Sequence, residues 1–351
     1  MRLTFSYSLL FIFLILSSLT KMTETREKTP LESVSATTSA TEVEEAVKRP
    51  IWIDTDLAVG MKRYSRPGFS DVDDGYAVLQ LMKSDKVEIV GISAVFGNTR
   101  IDDAYRISNY MNEEFASSKI PVYKGAGEAI NLSKIETNEA VEALAVALRK
   151  QKMRIMAVGP ATNVGLLLLL YPELSSQIEE VVLVAGRRKH TDYFSIGNQG
   201  NQAKDLNFDL DNDAFRIMFE NKVPVTLCPF EISNLVWVKE QDLNALAKAD
   251  KGSQWLAENS RPWLAQWISQ GADGFNPFDV LASHYMISPE DIISEPLNAR
   301  LEIHIDDTIK GNEKDTFKQY LICDKGEGYP IKYCYQVVPE FHQKLIASFV
   351  E

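Results

Sequence analysis

Ile51-Trp-Ile-Asp54-Thr-Asp56, followed after residues 57–72 by Asp73-Asp-Gly-Tyr-Ala-Val-Leu-Gln-Leu-Met-Lys83, is the stretch on which the fold turns. The first segment is short, apolar and β-branched, and reads as a buried strand. The second has a helical period and opens on two acidic residues, which suit a helix N-terminus. The same alternation continues along the chain. Strand candidates lie at 51–54, 87–96, 153–158, 180–184 and 223–228, with amphipathic stretches between them at 73–83, 102–114, 138–149 and 211–220. This order predicts an α/β fold: a single domain with inserts, built on a largely parallel central sheet flanked by helices. Ligands of such sheets bind beyond the carboxyl ends of the strands, so the residues just after each strand carry the functional reading.

The rest of the chain sets the boundaries. Its 351 residues are 45% hydrophobic and 25% charged, a composition that supports a large core and excludes a collagen-like or wholly disordered chain. A net charge of −12 argues against a general affinity for nucleic acid phosphates. Arg2, the apolar run Leu9-Leu-Phe-Ile-Phe-Leu-Ile-Leu16 and the small or polar Ser17, Ser18 and Thr20 have the layout of a secretory signal peptide over residues 1–20. The run is short for a membrane span, but no clean A-x-A cleavage site follows it, so an uncleaved membrane anchor is the alternative. A secreted, periplasmic or other lumenal location is expected. Residues 21–49, rich in Thr, Ser and Glu, read as a flexible linker, and residues 50–351 as the folded domain.

Asp54, Asp56, Asp71, Asp73 and Asp74 crowd one strand-to-helix corner. Carboxylates so placed repel one another unless a positive charge sits among them. A bound divalent cation is the simplest remedy, and an all-oxygen set favours calcium or magnesium over zinc. Helix capping accounts for one or two of Asp71, Asp73 and Asp74 without any metal. It does not account for Asp54 and Asp56 at the end of a buried strand.

Other strand ends carry polar groups able to converge on this corner: Phe96-Gly97-Asn98, Val158-Gly-Pro-Ala-Thr-Asn163, Asp205-Leu-Asn207 and Asn276-Pro-Phe-Asp279. Any one of these Asn residues is unremarkable as a turn residue, but their recurrence at successive strand ends is not. Together, in this order, these segments resemble the calcium-dependent nucleoside hydrolases of the inosine-uridine-preferring type, from Ile51 to near the C-terminus. The resemblance matches the family's Asp-x-Asp strand end with Asp54 and Asp56, and its Asp-Asp helix start with Asp73 and Asp74; one subgroup also has the Asp matched by Asp71. Its Gly-Asn falls on Gly97-Asn98 and its Gly-Pro-x-Thr-Asn turn on Gly159 to Asn163. Its acidic-aromatic-Asn motif falls on Asp205-Leu206-Asn207, with Asp where Glu is usual, and its late Asp-x-x-Ala, followed by Pro, falls on Asp279-Val-Leu-Ala282 and Pro289.

The resemblance implies a Rossmann-like nucleoside hydrolase fold and hydrolysis of the N-glycosidic bond of ribonucleosides. It implies calcium held by Asp56, Asp74, Asp279 and the Val158 carbonyl, with Asp56 as general base toward a calcium-bound water. Asp73, Asp205, Asn207 and Asn98 are implied at the ribose hydroxyls. Nucleosides are the small-molecule partner; a homo-oligomer is possible. Three departures mark this chain. The insert 57–72, with Lys62, Arg63, Arg66 and Gly68, either closes over the site or makes a surface excursion. Phe278 stands where many members have His, and the family's early His-Gly loop has no counterpart. Base recognition then falls to Phe278, the insert, and Trp263 and Trp267, which share a helix face unless they are plain core, with the loop 190–193 a further candidate and a lean toward purines. Two rivals remain at this stage: a haloacid dehalogenase-like phosphatase using Asp54 as nucleophile, and a non-catalytic ribosyl-binding protein that kept the fold. Finally, Cys323 and Cys334 flank an apparent turn between two strands, which permits a disulfide, with three reduced thiols as the alternative.

Overall fold

A computed structural model of the chain describes residues 48–64, 67–195, 202–309 and 316–351. The expected signal segment, and the linker as far as residue 47, lie outside the described residues. The quoted strand is β1 (Arg49–Thr55), and the helix after it is α1 (Asp73–Lys83). Next come β2 (Val87–Ala94), α2 (Ile101–Phe115), β3 (Val122–Lys124), α3 (Glu139–Lys150), β4 (Met153–Ala157), α4 (Thr162–Leu170) and β5 (Ile178–Leu183). A short antiparallel pair, β6 (Phe194–Ser195) and β7 (Gln202–Ala203), precedes α5 (Leu206–Leu210), α6 (Asn212–Glu220) and β8 (Val225–Leu227). The remainder is α7 (Phe230–Ser233), α8 (Glu240–Leu246), α9 (Lys251–Ser269), α10 (Val280–Ile287), β9 (Ile292–Ile305), β10 (Phe317–Asp324), β11 (Tyr329–Val337) and α11 (Phe341–Val350).

Among the described residues one nine-stranded sheet runs β10-β9-β11-β8-β5-β4-β1-β2-β3. From β11 to β3 every neighbouring pair is parallel, and β9 alone runs against its neighbours. Both faces are covered. In β1, Ile51 and Ile53 point into a core shared with Tyr76 and Leu79 of α1 and Phe341 of α11. Trp52 points the other way, into a core with Leu144 of α3, Leu167 of α4 and Phe215 of α6. Alternate residues of a strand face opposite sides, so a strand buried on both must be apolar throughout, as this one is. α4 and α10 escaped the periodicity reading for a related reason: they are apolar nearly all round and lie in the core, where a helix carries no amphipathic stripe.

The cysteines correct one expectation. The turn between Cys323 and Cys334 does join β10 to β11, but β9 lies between those strands, pairing Cys323 with Ala299 and Cys334 with Ser294. Two strand spacings, about 9.5 Å, exceed the Cα separation a disulfide can span. The two side chains also enter opposite cores, and all three thiols are free. Cys334 instead meets Cys228, since β11 lies parallel to β8 with Tyr333 opposite Leu227, and the two thiols hydrogen-bond.

The topology locates the site. After β1 the chain moves outward through β2 and β3, then crosses back to place β4 on the other side of β1. Such a reversal leaves a crevice beyond the carboxyl ends of the two strands. Asp56 stands at one lip and Val158 at the other, each one residue past its strand.

Candidate active site

The crevice opens into a cavity of about 840 Å³, within the size range of small-molecule sites. Asp56, Asp73, Asp74, Asn98, Val158, Asp205, Asn207, Trp263, Trp267, Phe278 and Asp279, all singled out from sequence, line it together. Asp54 does not. Its carboxylate is fully buried behind the site, where Ser93 Oγ and Asn163 Nδ2 (2.7 Å) both donate to Oδ1. That placement makes it a brace between β1 and its neighbours and leaves no access for a nucleophile.

Asp56 fits its corner because two glycines make way for it. A Cβ on Gly97 would stand 2.0 Å from Asp56 Oδ2, and one on Gly159 would stand 3.2 Å from Asp56 Cβ. The tight turn past β2 also lets the Asn98 N–H donate to Asp56 Oδ2 at 2.6 Å. Asp74 accepts from Thr55 Oγ1 and the Ala58 N–H. Asp279, at the start of α10, donates its backbone N–H to Asp73. Asp71, Asp73 and Asp74 each bring a carboxylate oxygen within 4.8 Å of one another. Capping accounts for part of this: Asp73 accepts from its own N–H and that of Asp74, while Val72, at the cap position, offers no side-chain bond.

Burial pushes the Asp56, Asp71, Asp74 and Asp279 carboxyls well above the usual range, and repulsion from neighbouring carboxylates pushes them further. Burial raises Asp73 to about 6. The buried oxygens Asp71 Oδ1 and Asp73 Oδ1 have no hydrogen-bond partner in the protein. A floor of mutually repelling, desolvated carboxylates with unpartnered oxygens fits a hard divalent cation, whose binding relieves both costs.

Beside this floor, Asp205 Oδ2 accepts from the Gly186 N–H at 2.8 Å, and burial raises its pKa to about 6. Asn207 Nδ2 donates to the carbonyls of Val158 (2.8 Å) and Val184 (3.0 Å), tying α5 to the ends of β4 and β5. Its donors are spent on the backbone, so Oδ1 is the atom it can offer a ligand, and the Val158 carbonyl keeps one lone pair.

The opposite wall is aromatic. Phe194 stacks on Phe230 at 4.5 Å between ring centroids, Phe230 on Phe278 at 5.8 Å, and Phe278 tilts against Trp267, which meets Trp263 edge to face. Trp263 and Trp267 are 4% and 1% exposed, so they are core residues that show the cavity an edge, not open stacking faces. Their indole Nε1 atoms have no partner in the protein. His190 and Tyr193 do not line the cavity, and His190 stacks on His304. Sequence reasoning missed Phe194, Phe230, Gln266 and Gln270 in the lining. Two signals were available: Trp263, Gln266 and Trp267 recur at i, i+3 and i+4 on α9, with Gln270 at i+7 as the residue that caps its end, and Phe230 lies just past β8.

The sequence from residue 51 to 320 matches the family described as inosine-uridine preferring nucleoside hydrolase. The chain belongs to that family. The probable uridine nucleosidase 1 of Oryza sativa subsp. japonica is 25% identical over 249 residues, which cover 62% of this chain and 74% of that protein. The pyrimidine-specific ribonucleoside hydrolase RihA of Shewanella woodyi is 25% identical over 220 residues, covering 56% and 64%. A solved structure, the purine-preferring ribonucleoside hydrolase from Gardnerella vaginalis, superposes with a TM-score of 0.67 at 18% identity, covering 86% of this chain and 98% of that one. This nucleoside hydrolase therefore cleaves the N-glycosidic bond of ribonucleosides. Neither the phosphatase nor the non-catalytic reading finds support, and the buried Asp54 argues separately against the first.

Proposed function

We propose that the carboxylate floor of this nucleoside hydrolase holds calcium and the ribose, and that the aromatic wall receives the base. The observation that carries this reading is the meeting, in one cavity, of a buried acidic floor with unpartnered oxygens and a wall of aromatic edges. Asp56, Asp74, Asp279 and the Val158 carbonyl are the proposed ligands, with Asp71 added because it shares an oxygen cluster with Asp73 and Asp74. When bound, the cation supplies a Lewis-acid centre that acidifies water and orients the vicinal hydroxyls of the sugar. Asp56, held by the Asn98 N–H, accepts the proton of the attacking water. Asp73, Asp205, Asn98 and Asn207 Oδ1 bind the hydroxyls, and the carboxylates stabilise the positive charge that develops on the sugar.

On the base side, the half-buried Phe278 lines the cavity beside Phe230 and Trp267 and is the proposed contact for the base. Stacking rewards the larger ring, which inclines the site toward purines. The relatives' own names divide, two toward uridine or pyrimidines and one toward purines. Release of free base from a panel of ribonucleosides, with and without a calcium chelator, tests the whole reading: base release that survives complete chelation overturns the metal assignment. The apolar segment of residues 9–16 supports export to a secreted, periplasmic or other lumenal location, or retention as an N-terminal anchor. N-terminal sequencing of the mature protein distinguishes the two.

A further inference from the structure

The insert between β1 and α1 is built into the cavity wall. Its two limbs pair with each other: the Gly60 N–H donates to the Asp71 carbonyl (3.1 Å), the Ser70 N–H to the Met61 carbonyl (2.8 Å) and the Arg63 N–H to the Gly68 carbonyl (3.1 Å). α9 clamps the pair. The Phe69 N–H donates to Gln266 Oε1 at 3.0 Å, and Gly60 lies so near the Asn259 carbonyl that a Cβ would stand 2.0 Å from it. Arg63 is thereby fixed in the cavity lining, its guanidinium carbon 5.6 Å from the centroid of the Trp263 ring. Its charge also acts on the Asp71 carboxyl, against the larger effects of burial and neighbouring acids. Arg63 thus stands where the acidic floor meets the aromatic wall. Among the described lining residues the positively charged ones are Arg63 and Lys204, and no histidine is present. Lys204 is exposed and adjoins Asp205 on the ribose side.

We propose that Arg63 is the residue that stabilises the departing base. This rests on the reading that the ribose lies on the carboxylates and the base on the aromatic wall, for then the C1′–N bond crosses the seam at which Arg63 is held. In the reaction the water oxygen bonds to C1′ and its proton passes to Asp56. The C1′–N bond breaks with its electron pair moving to the base. The guanidinium donates hydrogen bonds to the base as that negative charge develops and keeps its own protons, since an arginine does not deprotonate at working pH. The base takes a proton from solvent as it leaves. A planar, fixed cation suits this task, because donors already aimed at developing charge need no reorganisation in the transition state.

The test compares leaving groups. Uridine and inosine release bases that need stabilisation, whereas p-nitrophenyl β-D-ribofuranoside releases a phenolate that needs little. With the purified full-length chain in saturating calcium, Arg63→Gln is expected to lower the ratio of nucleoside to aryl riboside kcat/KM by about 10²-fold, mostly in kcat. Arg63→Lys is expected to recover part of that ratio, and aryl riboside turnover reports that each variant is folded. A ratio that stays at the parental value in both variants, whether the two substrates fall together or neither changes, overturns the proposal and leaves Arg63 as packing on Trp263. A parent enzyme inactive on nucleosides and aryl riboside alike overturns the ribonucleoside reading itself, and this inference with it.

Discussion

Asp56 shows how much of a residue's role is set by what surrounds it. Gly97 and Gly159 clear the space it occupies, and the Asn98 N–H fixes one oxygen, so its carboxylate is held in a defined orientation in the cavity lining. Asp56→Asn keeps the shape but cannot take a proton. It is expected to leave the melting temperature near the parental value and to lower kcat on ribonucleosides by at least about 10²-fold; parental turnover by this variant removes Asp56 as the base. The sugar side makes a second prediction. Asp73 and Asp205 are buried in the cavity lining and are the proposed acceptors for the ribose hydroxyls, so an analogue lacking one would leave a polar group unpaired. 2′-Deoxynucleosides are expected to show kcat/KM lower by at least about 10²-fold than the matching ribonucleosides, measured by base release. Equal values locate the discrimination elsewhere.

At the scale of elements, α9 and the insert share one function. α9 presents Trp263, Gln266 and Trp267 on a single face, with Gln270 following at its C-terminal end, and Gln266 holds the insert that carries Arg63. Of the described insert residues, Arg63 and Asp71 reach the cavity lining, while Lys62 and Tyr64 are exposed. The C-terminal strands make their own prediction. Because β9 separates β10 from β11, mild oxidation of the folded protein is expected to give no Cys323–Cys334 bond. Any intramolecular bond should join Cys228 and Cys334, which face each other across neighbouring strands. Peptide mapping under non-reducing conditions checks this, and a mapped Cys323–Cys334 pair contradicts the strand order.

Across the whole molecule buried carboxylates, in the floor and around it, make stability depend on pH, and the proposed cation adds a second dependence. Burial raises the Asp54, Asp73 and Asp205 carboxyls from 3.8 to about 6. Between those values the folded chain binds protons that the unfolded chain has released, so stability falls as pH rises through that window and stays low above it. In chelator, the melting temperature is expected to be higher near pH 5 than near pH 7.5. Millimolar calcium should raise it at pH 7.5 and shrink the difference, since the proposed ion competes with protons for Asp73 and the floor carboxylates around it. Asp74→Ala should weaken the calcium response. Identical melting temperatures at both pH values in chelator contradict the burial argument.

The sequence by itself determined the class of the fold and most of the floor. Strands apolar on both faces must be covered on both, and an α/β chain delivers polar residues to the strand ends, so Asp56, Asp73, Asp74, Asn98, Asp205, Asn207 and Asp279 were legible as a set. Tertiary structure alone decided which acid at the corner faces inward: Asp54 and Asp56 are two residues apart, yet one is tied to Ser93 and Asn163 behind the site and the other lines the cavity. It also decided that β9 lies between two strands joined by a short turn, and that Arg63 of the insert meets Trp263 of α9. Periodicity reports which side of an element is buried, and it carries no information about which distant element does the burying. Strand order and contacts between residues 200 apart therefore emerge only when the chain has closed its core.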